Sequence, residues 1–436
     1  MNERLPRIIG PVVGTLMIVS WTVGTAIFLV PGSVARHSGS ITTSLFLWLL
    51  VGGLSFCGGL CYAELATRVP RSGAEYCYLY AGYGPRLGFI CAWVSVFAMP
   101  ATIAAVARGF ADYLAVLWPM DEFLRRAAAA TAIAVLASIS ISSTRTGVRL
   151  AALAAMGKLL ALLGVACAGI AVAAPAEVVA SGTSPGWHPA QLGIASVAII
   201  WAFDGFSGIT YLAGEVREPQ RNIPRCLFTA IAVVTLVYLL INTVYFYTLG
   251  LGGVSASDTV AAAALSSVLG SDAGKVVAVL IMASALGTSM VQIVGNPRAL
   301  MAPAEDGLLP RAIAIVSPAT QTPANAILLT AGIAIALTTL GGYEFLTRLY
   351  VLAFYPMAVV ALSAAARLRH RDGPPTTFAM PFYPWPLVIY SGGIAAICIA
   401  SVLEDPVYAL FGLMLPLSGA MIYAARVRLW PVRQEG

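Results

Sequence analysis

Apolar runs of about 20 residues, each long enough to cross a ~30 Å hydrocarbon core, recur from one end of the chain to the other. Twelve are legible, at approximately 8–33, 40–66, 86–118, 125–143, 150–174, 189–213, 225–250, 273–303, 324–341, 345–366, 386–403 and 406–427. A bilayer admits only elements that satisfy their own backbone. The pattern therefore predicts an all-α membrane protein of twelve transmembrane helices. The first run is long and lacks a small-residue cleavage site before a polar domain, so it is expected to be retained as a span.

Two runs interrupt their own pattern. The first span reads "SWTVGTA" at its middle, with Gly24 between Thr22 and Thr25. The sixth reads "WAFDGFSGITYLAGE", with Asp204 beside Gly205 and Gly208 three residues on. Glycine in a membrane helix commonly serves close packing. Two interruptions at matching places in successive five-span halves mark instead an inverted-repeat secondary transporter with broken helices 1 and 6. An odd number of spans separates them, so the halves enter the membrane in opposite directions. The expected division is 1–174 for spans 1–5, 175–366 for spans 6–10, and 367–436 for spans 11 and 12 with the tail. Amides and carbonyls freed by unwinding cannot face lipid, but they can face a ligand. A half-helix N-terminus suits a carboxylate and bare carbonyls suit an ammonium. One site offering both recognises what all amino acids share.

Composition adds an orientation. With the N-terminus inside and twelve alternating spans, 18 of the 25 Lys and Arg residues fall on the inner side, from Arg4 and Arg7 to Arg428 and Arg433. That excess predicts cytoplasmic termini in a cell inner membrane. It also explains the net charge of +6 without nucleic acid. The seven cysteines lack metal-ligand spacing and read as small buried apolar residues. No phosphate-binding loop of the G-x-x-x-x-G-K-[ST] type and no His/Cys/Asp cluster appears, and the three histidines fall in predicted loops. Neither an enzyme, a metal site nor a cofactor is expected. Short tails argue against a signalling sensor, and nothing resembles a channel's selectivity filter.

Five stretches in order resemble the amino acid–polyamine–organocation superfamily over roughly residues 10–390. They are "VSWTVGTAIFLVP", "CYAELATRVPRSGAEYCYLYAGYGP", "MGKLLALLG", "WAFDGFSGITYLAGEVREPQRNIPR" and "RALMAPAEDGLLP". The similarity is to the L-type amino acid transporters and their bacterial relatives in particular. Two residues depart from the usual pattern: Ala26 stands where Gly is usual and Phe206 where many L-type members have Trp. The loop after span 3, "WPMDEFLRR", has no Cys, so no disulfide-linked heavy chain is expected.

The resemblance implies a substrate site around Thr22, Val23, Gly24, Thr25 and Ala26 in span 1, and Trp201, Ala202, Phe203, Asp204 and Gly205 in span 6. Amides of Thr25 and Ala26 would hold the carboxylate. Carbonyls of Thr22, Trp201, Ala202 and Asp204 would take the ammonium, and Trp201 would be an aromatic lid. Asp204 has three readings: a cap for the second half of span 6, a partner for a cationic side chain, or a proton carrier. Lys158 in span 5 either snorkels to the interface or, as the resemblance implies, places its ammonium where sodium-coupled relatives hold sodium. Glu64, Glu215 and Arg298 form an expected inner gate. Arg108 and Asp112 are four apart and can pair on one helix face. Tyr350, Phe354 and Tyr355 either line the cavity or pack. The function implied is sodium-independent alternating-access transport of L-amino acids, neutral or cationic, by exchange or by proton symport.

Overall fold

The protein is described here by a computed structural model covering residues 5–172, 189–257, 259–404 and 406–429. No strand occurs among these residues, apart from one isolated bridge between Ile9 and Val216. The first crossing is split. Helix α1 (Pro11–Thr22) and α2 (Ala26–Ser38) meet at 53° across Val23, Gly24 and Thr25. Gly39, in the left-handed region at φ 67°, ends α2 and donates its N–H to Ala35, as a helix C-terminus favours. Ser40 then caps α3 (Ile41–Arg68) by accepting the Thr43 N–H at 3.1 Å. A short α4 (Glu75–Tyr83) leads into α5 (Pro85–Leu117), and Asp121 caps α6 (Glu122–Ser142) in the same way, at 2.8 Å. Next come α7 (Thr144–Val172) and α8 (Pro189–Phe203), with a 3₁₀ segment at Gly208–Glu215.

The second half continues with α9 (Pro219–Ala256), α10 (Val260–Leu269), α11 (Ala273–Gly295), α12 (Arg298–Glu305), α13 (Ala324–Leu337) and α14 (Tyr343–Asp372). It is followed by α15 (Trp385–Glu404) and α16 (Pro406–Leu429). Among the described residues, eight helices are long and apolar enough to cross a membrane, the bent α1–α2 pair makes a ninth, and three shorter apolar helices lie in α13, α15 and α16. These are the twelve crossings. Hydrophobic periodicity did not foretell α4 or α10, because each is a short helix lying between crossings, while α12 continues the eighth crossing beyond α11. The expected division near residue 174 falls outside the described residues.

The packing follows the repeat. The second crossing, α3, packs along the seventh, α9, and the third, α5, along the eighth, α11. Each pair joins a crossing to its counterpart five later. Helix α1 lies against α7, α9 and α11, so the first break is walled by other helices rather than by lipid. Ile9, the loop around Arg71, Val216 and Asp306 meet on one side of the molecule. With Arg7, Arg71, Arg217 and Arg298 it is the basic face. Arg36, the end of α9 and the α5–α6 connection lie on the opposite face.

Candidate functional site

The first break is held open by polar groups from two other helices. After Thr22, Val23 leaves the helical region at ψ 89°, and the Gly24 N–H bends back to the Thr22 carbonyl at 2.9 Å. Carbonyls that an intact helix would have paired are taken up from outside. The Lys158 ammonium on α7 donates to the Ser20 and Val23 carbonyls, both at 2.8 Å, and to Thr288 Oγ1 at 2.7 Å. Three donors are all an ammonium has. On α11, Ser284 donates to the Val23 and Gly24 carbonyls, at 3.2 and 3.3 Å. Lys158 is buried, so it does not snorkel to an interface. It ties the fifth crossing to the first at the point where the first is unwound.

The second break follows Phe203. Residues 204–207 form a turn, with the Asp204 N–H donating to Trp201 O at 3.1 Å and Gly205 at φ 98°, a conformation that favours glycine. The capping reading of Asp204 is not met. The segment beyond the turn is a 3₁₀ helix starting at Gly208, its leading residue is Ser207, and no side chain caps it. Asp204 Oδ1 instead accepts from the Tyr355 hydroxyl of α14 at 3.2 Å.

The two breaks face each other. The Tyr238 hydroxyl of α9, fully buried, lies 2.9 Å from the Ala202 carbonyl and 3.2 Å from the Thr22 carbonyl, and so reaches both interruptions. Thr22 O and Ala202 O thus already have a donor. Amides at the start of α2, including Ala26 and Ile27, have no partner within that helix, as at any helix N-terminus. Thr25 Oγ1 lies 3.4 Å from the Tyr343 hydroxyl. That hydroxyl also receives the Trp201 indole N–H at 2.7 Å, closing the site toward the opposite face. Trp201 further sits edge-on to Tyr350.

Toward the basic face the closure is aromatic and ionic. The Trp21 ring lies over Gly205, Gly208 and Gly295, where any added methyl group would strike it, and stacks on Tyr211 at 5.9 Å. Beyond it Arg298 and Glu215, 1% and 0% exposed, form a two-point ion pair at 2.9 and 3.2 Å. Two further expectations are corrected here. Glu64 does not join Arg298 and Glu215: it pairs with Arg369 of α14 at 2.7 Å and accepts the Met380 N–H at 2.8 Å. Arg108 does not pair with Asp112 but with Glu122 of α6, at 2.9 and 3.1 Å, while Asp112 lies 3.7 Å from Arg125. In the second case a residue on a neighbouring helix offers better geometry than the nearest acid in sequence.

Between the closures lies a cavity of about 40 Å³ lined by Asp204, Gly205, Glu75, Gln292 and Asn296, with Tyr350, Phe354 and Tyr355 on its wall. At roughly 15 Å³ of such volume per molecule it has room for two or three waters. That is too little for an amino acid, so one closure must part before anything larger enters. Sequence reasoning missed Trp21, Glu75, Tyr238 and Tyr343. Among the described residues no cluster of His, Cys, Asp and Glu could hold a metal ion.

Residues 10–427 match the family model described as "Amino acid permease". The serine/threonine exchanger SteT of Bacillus subtilis (strain 168) is 27% identical over 427 residues, 97% of this chain and 97% of that protein. The large neutral amino acids transporter small subunit 2 of Mus musculus is 28% identical over 96% of this chain and 81% of its own length. The Asc-type amino acid transporter 1 of Mus musculus is 30% identical over 76% of this chain and 65% of its own length.

Proposed function

The chain belongs to the amino acid permease family and is a multi-pass membrane protein of amino acid transport rather than an enzyme, and from that premise we propose that it is a sodium-independent exchanger of L-amino acids. The observation carrying this reading is the meeting of two unwound segments across Tyr238, with amides at the start of α2 that have no partner within that helix on one side and the main-chain carbonyls of the second break on the other. A zwitterion has both charges answered there. The residues we assign to it are those around Thr22–Ala26 and Trp201–Gly205. Exchange is favoured by analogy with the serine/threonine exchanger. Alternating access would part the Trp21 and Arg298–Glu215 closure in one half-cycle and the Trp201–Tyr343 closure in the other. The repeat halves are taken as 1–174 and 175–366. By the excess of basic residues, the basic face and both termini are placed in the cytoplasm, and the membrane is a cell inner membrane. Proton-coupled symport is the second reading, favoured by the buried Glu75 carboxyl in the cavity.

The experiment is a vesicle assay with labelled L-serine, L-leucine and L-arginine. Preloading with unlabelled amino acid should speed entry severalfold, and replacing sodium by choline at fixed membrane potential should leave the rate unchanged. No acceleration by preloading would refute exchange. In the same assay Asp204→Asn should depress arginine entry at least about tenfold more than leucine entry, the worth of one charge-assisted hydrogen bond. Equal losses would instead place Asp204 in the turn alone.

A further inference from the structure

Asp204 is one of two carboxyl groups lining the cavity; the other is Glu75, the first residue of α4, which is 2% exposed. Among the described residues no lysine, arginine or histidine lines that cavity. One Glu75 oxygen accepts the Tyr62 hydroxyl of α3 at 2.7 Å, and the other, Oε2, has no hydrogen-bond partner although it is buried. The Tyr211 hydroxyl faces it without a bond of ordinary geometry. A buried carboxylate oxygen with no well-formed donor and no cation is expensive, so a site built this way invites whatever neutralises it.

The groups around Glu75 cannot supply that charge. Tyrosines 62, 211, 350 and 390 come from α3, the 3₁₀ segment, α14 and α15. Cys77 and Tyr78 lie on its own helix and Cys91 on α5. Gln292 and Asn296 of α11 are neutral, and Asp204 is acidic and held by Tyr355. Burial pushes the Glu75 carboxyl above the usual carboxylate range, and the Tyr62 and Tyr211 hydroxyls pull part of that rise back. The amide end of α4 favours the anion, while the dry surroundings favour the acid. The cavity's location gives the proton an exit. Tyr211 and Trp21, which form its wall, are also the stacked pair that closes the site toward the basic face.

We propose that Glu75 is a proton-binding site, loaded when the amino acid binds and unloaded to water at the basic face when the Trp21–Tyr211 closure parts. This rests on the amino acid transport reading and adds to it the group that would carry a coupled proton. The proton comes from bulk water, adds to the Glu75 carboxylate, and returns to bulk water on release. No other bond changes.

The test is calorimetric titration of the purified full chain with L-serine, L-leucine and L-arginine in turn. It is run in phosphate and in Tris, buffers of different ionisation heat, over the pH range in which both buffer. The expected result is a binding heat that depends on the buffer, reporting proton uptake with the amino acid. Glu75→Gln should abolish the buffer dependence, and Glu75→Asp, which keeps a carboxyl, should retain it with a shifted pH profile. Heat that is the same in both buffers overturns the proposal while leaving the transport reading intact. Buffer dependence surviving in Glu75→Gln overturns it also, and moves the proton to Asp204. No heat with any of the three amino acids removes the transport reading and this inference together.

Discussion

Replacing Arg298 by alanine should destabilise the protein by about 3–5 kcal/mol, because it leaves the Glu215 carboxylate buried with no cation. Transport should fall at least about tenfold in the same variant, since a 1.4 kcal/mol loss in the closed state already costs that factor. The pair is among the most enclosed ionic contacts of the chain, with both side chains at or below 1% exposure and both carboxylate oxygens engaged. It joins the end of the 3₁₀ segment to α12, the short helix that ends the eighth crossing. The decisive comparison is the double replacement Arg298→Met with Glu215→Leu. Swapping a whole buried pair for apolar residues is often neutral or stabilising, so most of the thermal stability lost in the single variant should return. Transport should not return, because an apolar contact that no longer exchanges its ions for water would hold the basic face shut. A double variant that transports like the native chain would show that the pair only holds the fold together.

This pair and the Trp21 ring act at different depths on the same path. Trp21 occupies space that three glycines leave free, one in the turn of the second break, one just after it and one from α11. Opening the basic face therefore requires the first crossing to move its indole out from between the sixth and the eighth. The Arg298–Glu215 pair spans the same two crossings nearer the surface. On the other side the Trp201–Tyr343 hydrogen bond and the nearby Thr25 hydroxyl tie the first, sixth and tenth crossings. The first and sixth crossings take part in both closures, and so they are the ones placed to move.

The sequence announced both breaks because each is a local signal: a glycine between threonines, and an acid with two glycines, inside runs a bilayer would otherwise keep apolar. Lys158 was legible for the same reason, since a charge in the middle of a span needs a partner or a task. The partners themselves were not legible. Thr288 and Ser284, which complete the cradle around the first break, look in sequence like ordinary small polar residues of a membrane helix. Tyr238 and Tyr343 are separated by many residues from the groups they touch, and only the packing of α9 and α14 brings them there. Glu64 shows the limit most plainly. Its place at the end of α3 marked it as an acid at the basic face, but several arginines crowd that face and only the helix positions select Arg369. Glu75 sat inside a motif that resembles its family and still escaped notice, because burial is a property of the assembled cavity.

Lys158→Met should be the other severe change. The native ammonium serves the Ser20 and Val23 carbonyls at once, and hydrogen bonds to a charged donor contribute about 1.5–3 kcal/mol each. Losing both should cost roughly 3–6 kcal/mol, reduced where Ser284 and Thr288 continue to serve the same carbonyls. Lys158→Arg should not rescue the protein. A guanidinium is planar and offers a fork where three acceptors surround a point charge, and Gly287 of α11 leaves no spare room beside the Lys158 chain. The measurements are thermal unfolding of the purified variants and amino acid binding in detergent. Binding separates a structural role from a site role: if the ammonium shapes the unwound segment, affinity should fall along with stability, even below the unfolding temperature. A methionine variant that binds and transports at the native rate would mean that the serine and threonine of α11 suffice to hold the first crossing open, and that the charge at 158 has some other purpose.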